Sequence, residues 1–593
     1  MKYLRQHRIA IRYLNQHLSR NQFLILSGIL VGLSAGTAAV FLKSAVHYIN
    51  LLTETQLEIF SYPYLNLFLP LIGILLTVWV VKRFLKGKDG KGIANILQDI
   101  SQRSGVVPKY KIYSQVITSA LTVGFGGSAG LESPIAVTGA AIGSNYARTY
   151  RMTYRERILL LACGVASGIA AAFNAPITGL MFAFEVILVG VVFSDFIPLI
   201  ISTVSATLLS KIILNDDILF EFKSLREFDY INVPLYISLG IFSGLVSVYY
   251  SRITKKIDFF FHDYLQWNAY YKAIFGGLII ALLCFLFPPL FGEGYQSIKY
   301  LASNTPQEIL KGTFFNFSGY NQWTIILFSG LIILTKVLAT SITLASGGSG
   351  GNFAPSLFTG AFMGFFFSSA INLLGFRQIP VDNFTLVGMC GILSGVMYAP
   401  LTGIFLIAEI TGGYDLIIPL MIVATSSYII AKFYEPHSMD VKELIKGKKI
   451  FTENYDDNII SLIKIHEIIT KDYVSVTEDS TLAQLSELFK NSDHNIIVIN
   501  DHHGQYKGFI VFDKVRKLLL DHNLQQDHIT AQELIQKDIE KLDSNASINQ
   551  IIDIFDKTDI RLIPIFEDGV FEGFVSKNLL LTAYRIKLKL TLN

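Results

Sequence analysis

From about residue 22 to about residue 432 the chain is a succession of apolar runs; beyond that the pattern shortens to alternating apolar and polar positions. The apolar runs include Phe23–Val46, Leu65–Val81, Ile158–Phe173, Phe196–Leu214, Ala273–Phe287 and Ile325–Leu344. Several fall short of the ~20 residues a spanning helix needs, and glycine or proline interrupts many others. Broken apolar helices are tolerated at membrane depth only inside protein or beside a watery path. The pattern therefore predicts a transporter or channel body rather than a receptor held by clean spans. The C-terminal part predicts helices alternating with short strands, among them Asn495–Ile499 with Gly508–Phe512, and Leu562–Phe566 with Gly573–Ser576.

Both parts are internally repeated. Gly126-Gly-Ser-Ala-Gly130-Leu-Glu132-Ser-Pro134 returns as Gly347-Gly-Ser-Gly-Gly351-Asn-Phe353-Ala-Pro355. Cys163-Gly-Val-Ala-Ser-Gly168 returns as Cys390-Gly-Ile-Leu-Ser-Gly395, and Ala175-Pro-Ile-Thr-Gly179 with Glu185 returns as Ala399-Pro-Leu-Thr-Gly403 with Glu409. The offsets are 221, 227 and 224 residues, in the same order. A duplicated membrane unit follows, as in many transporters whose sites form between repeats near the midplane. The soluble part repeats on a 66-residue period, with Leu482, Phe489, Ile497 and Ile499 matching Ile548, Phe555, Ile563 and Ile565.

Charge sharpens the division. Residues 433–593 hold 19 Lys+Arg and 26 Asp+Glu, an ordinary soluble density, whereas residues 1–432 hold 30 and 20, less than half the soluble norm. The net +3 divides into +10 and −7 and gives no reason to expect a nucleic-acid partner. Lys2, Arg5, Arg8, Arg12 and Arg20 precede the first apolar run without an acid among them, which places the N-terminus on the cytoplasmic side. No secretory leader is expected there. Cys163, Cys284 and Cys390 lie in apolar runs, with neither a disulfide framework nor metal spacing.

The candidate chemistry sits in the glycine-rich segments. Two helix starts, each preceded by glycine and carrying proline early, can aim unpaired N–H groups and positive dipole ends at one point, an anion site without a full positive charge. A bland alternative is glycine serving close helix packing; the repetition, each copy ending in proline, favours the ion site. Glu132, an ionisable group inside an apolar segment, is a functional candidate because burying it is costly. Glu185 and Glu409 end apolar helices at equivalent repeat positions, which points to a structural role. Metal clusters, Ser/His/Asp arrangements and phosphate loops are not evident in the sequence, so an enzyme is not expected.

Gly130-Leu-Glu132-Ser-Pro134, Gly351-Asn-Phe353-Ala-Pro355, Phe173-Asn-Ala-Pro176 and the paired C-terminal modules resemble the CLC family of chloride channels and chloride/proton exchangers with a CBS-domain pair. The resemblance implies a polytopic α-helical membrane protein of inverted repeats with many tilted and broken helices, followed by an α/β CBS tandem. The expected layout is a basic N-terminal segment over 1–21 and a transmembrane domain over 22–434, with repeats near 22–215 and 235–434. A linker at 435–465 and CBS modules at 466–523 and 529–593 complete it. The family implies a homodimer in the lipid bilayer, here expected in the plasma membrane with the N-terminus and the CBS pair cytoplasmic.

Matched position by position, Glu132 takes the place of the gating glutamate. The amides of Leu131, Glu132, Ser133, Asn352, Phe353 and Ala354 take the place of the anion's donors. Three departures follow. Lys91, in Gly90-Lys-Gly-Ile-Ala94, replaces the central-site serine, and Asp440 aligns with the tyrosine that closes the inner side. Val186 stands where exchangers commonly carry an inner proton-passing glutamate, with Glu185 next door as a substitute. Val186 favours passive, gated chloride conduction; a chloride/proton antiporter is the alternative, and a fluoride exporter is disfavoured by the C-terminal pair. No cofactor is required. The CBS pair is either an adenine-nucleotide sensor or a dimerising module that binds nothing, since Asp513 and Asn578 fall one residue early for the usual ribose-binding acid, near Lys514 and Leu579.

Overall fold

The computed structural model describes residues 18–59, 67–87, 92–188, 196–214, 227–303, 305–310, 313, 321–446, 460, 463–491, 495–519, 529–536, 541–558 and 561–592. The N-terminal cluster before residue 18, Lys91, and residues 447–459 and 461–462 of the expected linker lie outside the described residues. Two compact units divide at residue 450.

The first unit is helical. Its first half runs α1 (Arg20–Ile59), α2 (Leu69–Phe84), α3 (Gly92–Arg103), α4 (Lys111–Gly124), α5 (Glu132–Thr149), α6 (Tyr154–Phe173), α7 (Pro176–Phe182) and α8 (Phe196–Leu214). The second runs α9 (Val233–Phe259), α10 (Ala269–Leu286), α11 (Tyr295–Ala302), α12 (Gln322–Ala345), α13 (Phe353–Leu373), α14 (Val381–Met397), α15 (Pro400–Ile410) and α16 (Ile417–Tyr434). A short α17 (Met439–Lys446) follows. Among the described residues, eight helices are long and apolar enough to cross a membrane.

Each helix of the first half has a counterpart eight places on. Thus α5 and α13 each follow a glycine segment, and α7 and α15 each start on a proline. Proline suits this position because its missing N–H would have no helical partner. Helices α6 and α14 both stop at a left-handed residue, Asn174 (φ 55°) and Tyr398 (φ 58°). At the other end α6 is fixed by a capping box, in which Thr153 and Glu156 satisfy each other's amides, and Arg20 of α1 pairs with that Glu156.

Glycine sets how closely the counterparts pack. A Cβ on Gly139 of α5 would stand 2.1 Å from the Gly164 carbonyl oxygen of α6, and one on Gly164 2.0 Å from that of Gly139. The same mutual contact recurs between Gly360 of α13 and Gly388 of α14, at 2.5 and 2.6 Å. Backbone lies on backbone in both halves, which only glycine permits. The short helices expected from the broken runs are inside: every residue of α14 after Val381 is buried. Glu435, just past α16, accepts from Arg252 Nε of α9 at 2.8 Å and pairs with Lys442 of α17, fixing α17 to the bundle.

The second unit holds two α/β modules. The first contains α18 (Ile465–Ile468), β1 (Val474–Thr477), α19 (Leu482–Asn491), β2 (Ile496–Asn500), β3 (Tyr506–Val511) and α20 (Phe512–Leu519). The second contains α21 (Ala531–Leu534), β4 (Leu542–Asp543), α22 (Ile548–Lys557), β5 (Leu562–Glu567), β6 (Val570–Ser576) and α23 (Lys577–Leu592). In each, the central strand pairs parallel with the first and antiparallel with the third. The repeated Ile497, Ile499, Ile563 and Ile565 fill the cores. The modules meet on an aromatic seam: Tyr506 stacks on Phe571 at 4.3 Å, Phe509 meets Phe574 edge-on at 4.9 Å, and Thr470 bridges Phe574.

Candidate anion site

The two glycine segments are joined backbone to backbone. The Gly130 amide donates to the Gly351 carbonyl at 2.9 Å and the Gly351 amide to that of Gly130 at 2.8 Å. This bridge sets the N-termini of α5 and α13 side by side. Neither Leu131 nor Asn352, the residues before these helices, caps its helix with a side chain. The first-turn amides thus remain for another acceptor, and two positive dipole ends converge there.

The Glu132 carboxylate takes that place. It is 3% exposed; Oε2 accepts from the Ala354 amide at 3.4 Å and Oε1 from the Tyr295 hydroxyl at 2.8 Å. A Cβ on Gly130 would stand 2.2 Å from Oε2, so glycine is what lets the carboxylate fold back into the cradle. A carboxylate among amide donors occupies the place of a small anion, and the two compete for the same hydrogen bonds.

The surroundings hold the cradle rigid. Phe353 packs between Phe173 and Phe182, with ring centroids at 5.4 and 6.1 Å, and the Tyr250 hydroxyl donates to Asn352 Oδ1 at 3.2 Å. Below the second glycine segment, Thr122 Oγ1 accepts from the Ser349 amide at 2.9 Å and Thr118 Oγ1 donates to Ser349 Oγ at 3.0 Å.

Leu131, Glu132, Ser133, Asn352, Phe353 and Ala354 are therefore brought together at two adjoining helix starts. Lys91 lies outside the described residues. Asp440 is half-buried in the first turn of α17, which packs on α3. Val186 lies in a π-helical turn over Ala183–Ile187 and packs, half-buried, against the apolar core. Glu185 caps the start of α15: Oε1 accepts from the Leu401 amide at 2.8 Å, and Oε2 from the Thr402 amide at 2.8 Å and hydroxyl at 2.7 Å. Glu409 does the same for α7, through the Ile177 amide at 3.0 Å and the Thr178 amide and hydroxyl at 2.8 and 2.7 Å. These exchanged caps relate the two halves by a pseudo-two-fold.

In the C-terminal unit, Asp513 starts α20, exposed and 3.3 Å from Arg516, and Asn578 is exposed in the first turn of α23. Burial in the aromatic seam pushes the Tyr506 hydroxyl above its ordinary range.

Tyr295, Lys336 and Glu293 escaped the sequence reading. Lys336 carries a signal that could have found it: a single cation within the apolar run Ile325–Leu344. It is fully buried, donates to the Gly292 carbonyl at 3.0 Å, and lies 4.6 Å from the Phe358 ring centroid. Tyr295 has no comparable signal, being amphipathic and 163 positions from Glu132.

A family described as voltage gated chloride channel matches residues 72–432, and the CBS domain matches 465–521 and 531–585. The chain is 26% identical over 556 residues to chloride channel protein CLC-f of Arabidopsis thaliana, covering 84% of this chain and 69% of that protein. It is 27% identical over 443 residues to the H+/Cl− exchange transporter ClcA of Klebsiella pneumoniae, covering 72% and 89%. Among solved structures, a slow cyanobacterial Cl−/H+ antiporter superposes with a TM-score of 0.62 at 23% identity, over 72% of this chain and 98% of that one. A eukaryotic CLC transporter superposes at 0.60 and 17% identity, over 94% and 97%.

Proposed function

This chain belongs to the CLC family of membrane anion transporters, and from that membership we infer that it exchanges chloride for protons across the membrane, gated by Glu132. The observation that carries this reading is the Glu132 carboxylate lodged between the helix starts of α5 and α13. Ionised, it holds the amides that an anion needs. Protonated, it loses the charge that competes, and chloride takes the amides of Leu131, Glu132, Ser133, Asn352, Phe353 and Ala354. One side chain thus couples proton and anion occupancy. The relatives named as exchange transporters support the coupling.

Channel-like conduction, the reading Val186 favoured, remains the second reading. It gains from Glu185, whose oxygens are engaged at the start of α15, so a proton route through this neighbour would break a helix cap. Exchange then requires the inner proton to reach Glu132 without an acid at position 186. Chloride is proposed as the substrate, a homodimer in the plasma membrane as the assembly, and a cytoplasmic N-terminus and CBS pair as the orientation. At the CBS pair an adenine nucleotide is the proposed ligand, testable by calorimetric titration of ATP, ADP and AMP. Reconstitution into liposomes decides the central point: exchange predicts uphill proton movement driven by a chloride gradient, and conduction predicts chloride flux with protons stationary.

A further inference from the structure

Beside the cradle lies a cavity of about 490 Å³, lined by Asn50, Phe291, Glu293, Tyr295, Tyr300 and Glu308 among others. Its inner wall is the segment from Pro288 to Gly294, between α10 and α11. This segment is held from within the protein. The buried Lys336 ammonium of α12 donates to the Gly292 carbonyl at 3.0 Å and lies 3.4 Å from that of Leu290. The Gly292 amide donates to the Gly126 carbonyl at 2.9 Å, tying the segment to the first glycine turn. Burying a lysine is costly, and the carbonyls of Leu290 and Gly292 offset part of that cost while the ammonium fixes the segment.

The wall carries Glu293 and, two residues on, Tyr295. Tyr295 donates to Glu132, and Glu293 is half-buried at the cavity's edge. The charged groups near Glu293 are Glu132 of α5, Lys43 of α1 and Lys336 of α12. Tyr295 and Tyr300 of α11, with Glu308 on the following turn, are the other titratable groups lining the cavity. Glu293 thus lines the cavity two residues before Tyr295, the donor to the Glu132 carboxylate.

We propose that Glu293 is a second acid of the gate, the residue that passes protons between this cavity and Glu132. This rests on Glu132 being the proton-coupled gate. A proton taken from cavity water by the Glu293 carboxylate moves to the Glu132 carboxylate, leaving Glu293 ionised and Glu132 neutral; one proton is transferred and no other bond changes. Ionisation of either carboxylate disfavours ionisation of the other, so the pair holds one proton that can pass between them.

The test is planar-bilayer recording of the full chain with pH changed on one face at a time, for the parent, Glu293→Gln, Glu293→Asp and Glu132→Gln. Glu293→Gln should slow proton-coupled turnover driven from the cavity's face by about tenfold or more. The response from the opposite face and the dependence on chloride concentration should stay as in the parent. Glu293→Asp keeps the acid and should recover much of the rate; Glu293→Ser repeats the neutral test if the Gln variant does not assemble. A parent-like pH response in the neutral variants overturns the proposal. So does a loss on both faces with altered chloride dependence, which marks a structural role. Glu132→Gln separates the two readings. If it keeps the parent's pH response, the gate itself is misassigned. If it loses the response while Glu293→Gln keeps it, only the role of Glu293 falls.

Discussion

Glu132 carries the proposed gate, because its carboxylate is set against the helix-start amide of Ala354. Glu132→Gln keeps the shape and removes the charge, so chloride flux should stay high and lose its pH dependence in bilayer recordings. Glu132→Asp keeps the charge on a shorter arm and should gate poorly, since the Tyr295 hydroxyl at 2.8 Å and the Ala354 amide at 3.4 Å would no longer both be reached. Glu185 and Glu409 behave otherwise, as each spends its charge on the opposite half's helix start. Replacing either by alanine strips three charge-assisted hydrogen bonds and should cost about 2 kcal/mol or more, read as a lowered melting temperature in detergent. The two losses should be similar in size. Glu132 was legible in the sequence because an acid inside an apolar glycine turn has few bland explanations, and the structural role of Glu185 and Glu409 was legible in their symmetry. Tyr295 and Glu293 were not, since they reach the cradle through a fold-back that no local pattern encodes.

At the level of elements, the repeat rests on glycines that face each other. Gly139→Ala sets a methyl group against the Gly164 carbonyl oxygen, and Gly360→Ala against that of Gly388. Each should cost about 1–3 kcal/mol if the helices can separate slightly, with Gly139→Ala the worse because its contact is closer. Yield of folded protein and its melting temperature check this. For the repeated glycine-rich segments the sequence offered helix packing and ion binding as alternatives and favoured the ion site, whereas Gly139, Gly360 and Gly388 lie outside its repeated motifs. Both uses are present, divided between positions: Gly139 and Gly164 pack backbones, whereas Gly130 makes room for a carboxylate. In the soluble unit the turn from β2 to β3 depends on Asp501, whose Oδ1 accepts from the Gln505 amide at 2.8 Å and the His503 amide at 2.9 Å. Those bonds hold its carboxyl group below the ordinary value of 3.8. A depressed folded value means the stabilisation is present above about pH 4 and is lost as pH falls through the lower folded value. Hydrogen exchange at the turn should therefore be faster in Asp501→Ala at neutral pH and equal to the parent at strongly acid pH.

The whole molecule joins a membrane body poor in charge to a soluble pair of ordinary charge density, and the division was visible in composition alone. A fragment of residues 451–593 contains both CBS modules and their aromatic seam, and should be a soluble, cooperatively melting protein. Aggregation of that fragment in every buffer would contradict its independence. Proton coupling was the least legible property, because Val186 disfavours an exchanger while Glu132 is compatible with exchange and conduction alike. Proton-coupled exchange is tested most directly by chloride-loaded liposomes of the purified chain, diluted into low chloride, with external pH and chloride followed together. Exchange predicts that chloride efflux draws protons into the liposomes at a fixed ratio, against an opposing pH gradient, and that Glu132→Gln abolishes the proton arm while chloride still moves. Chloride efflux with no proton uptake in the parent protein would contradict it.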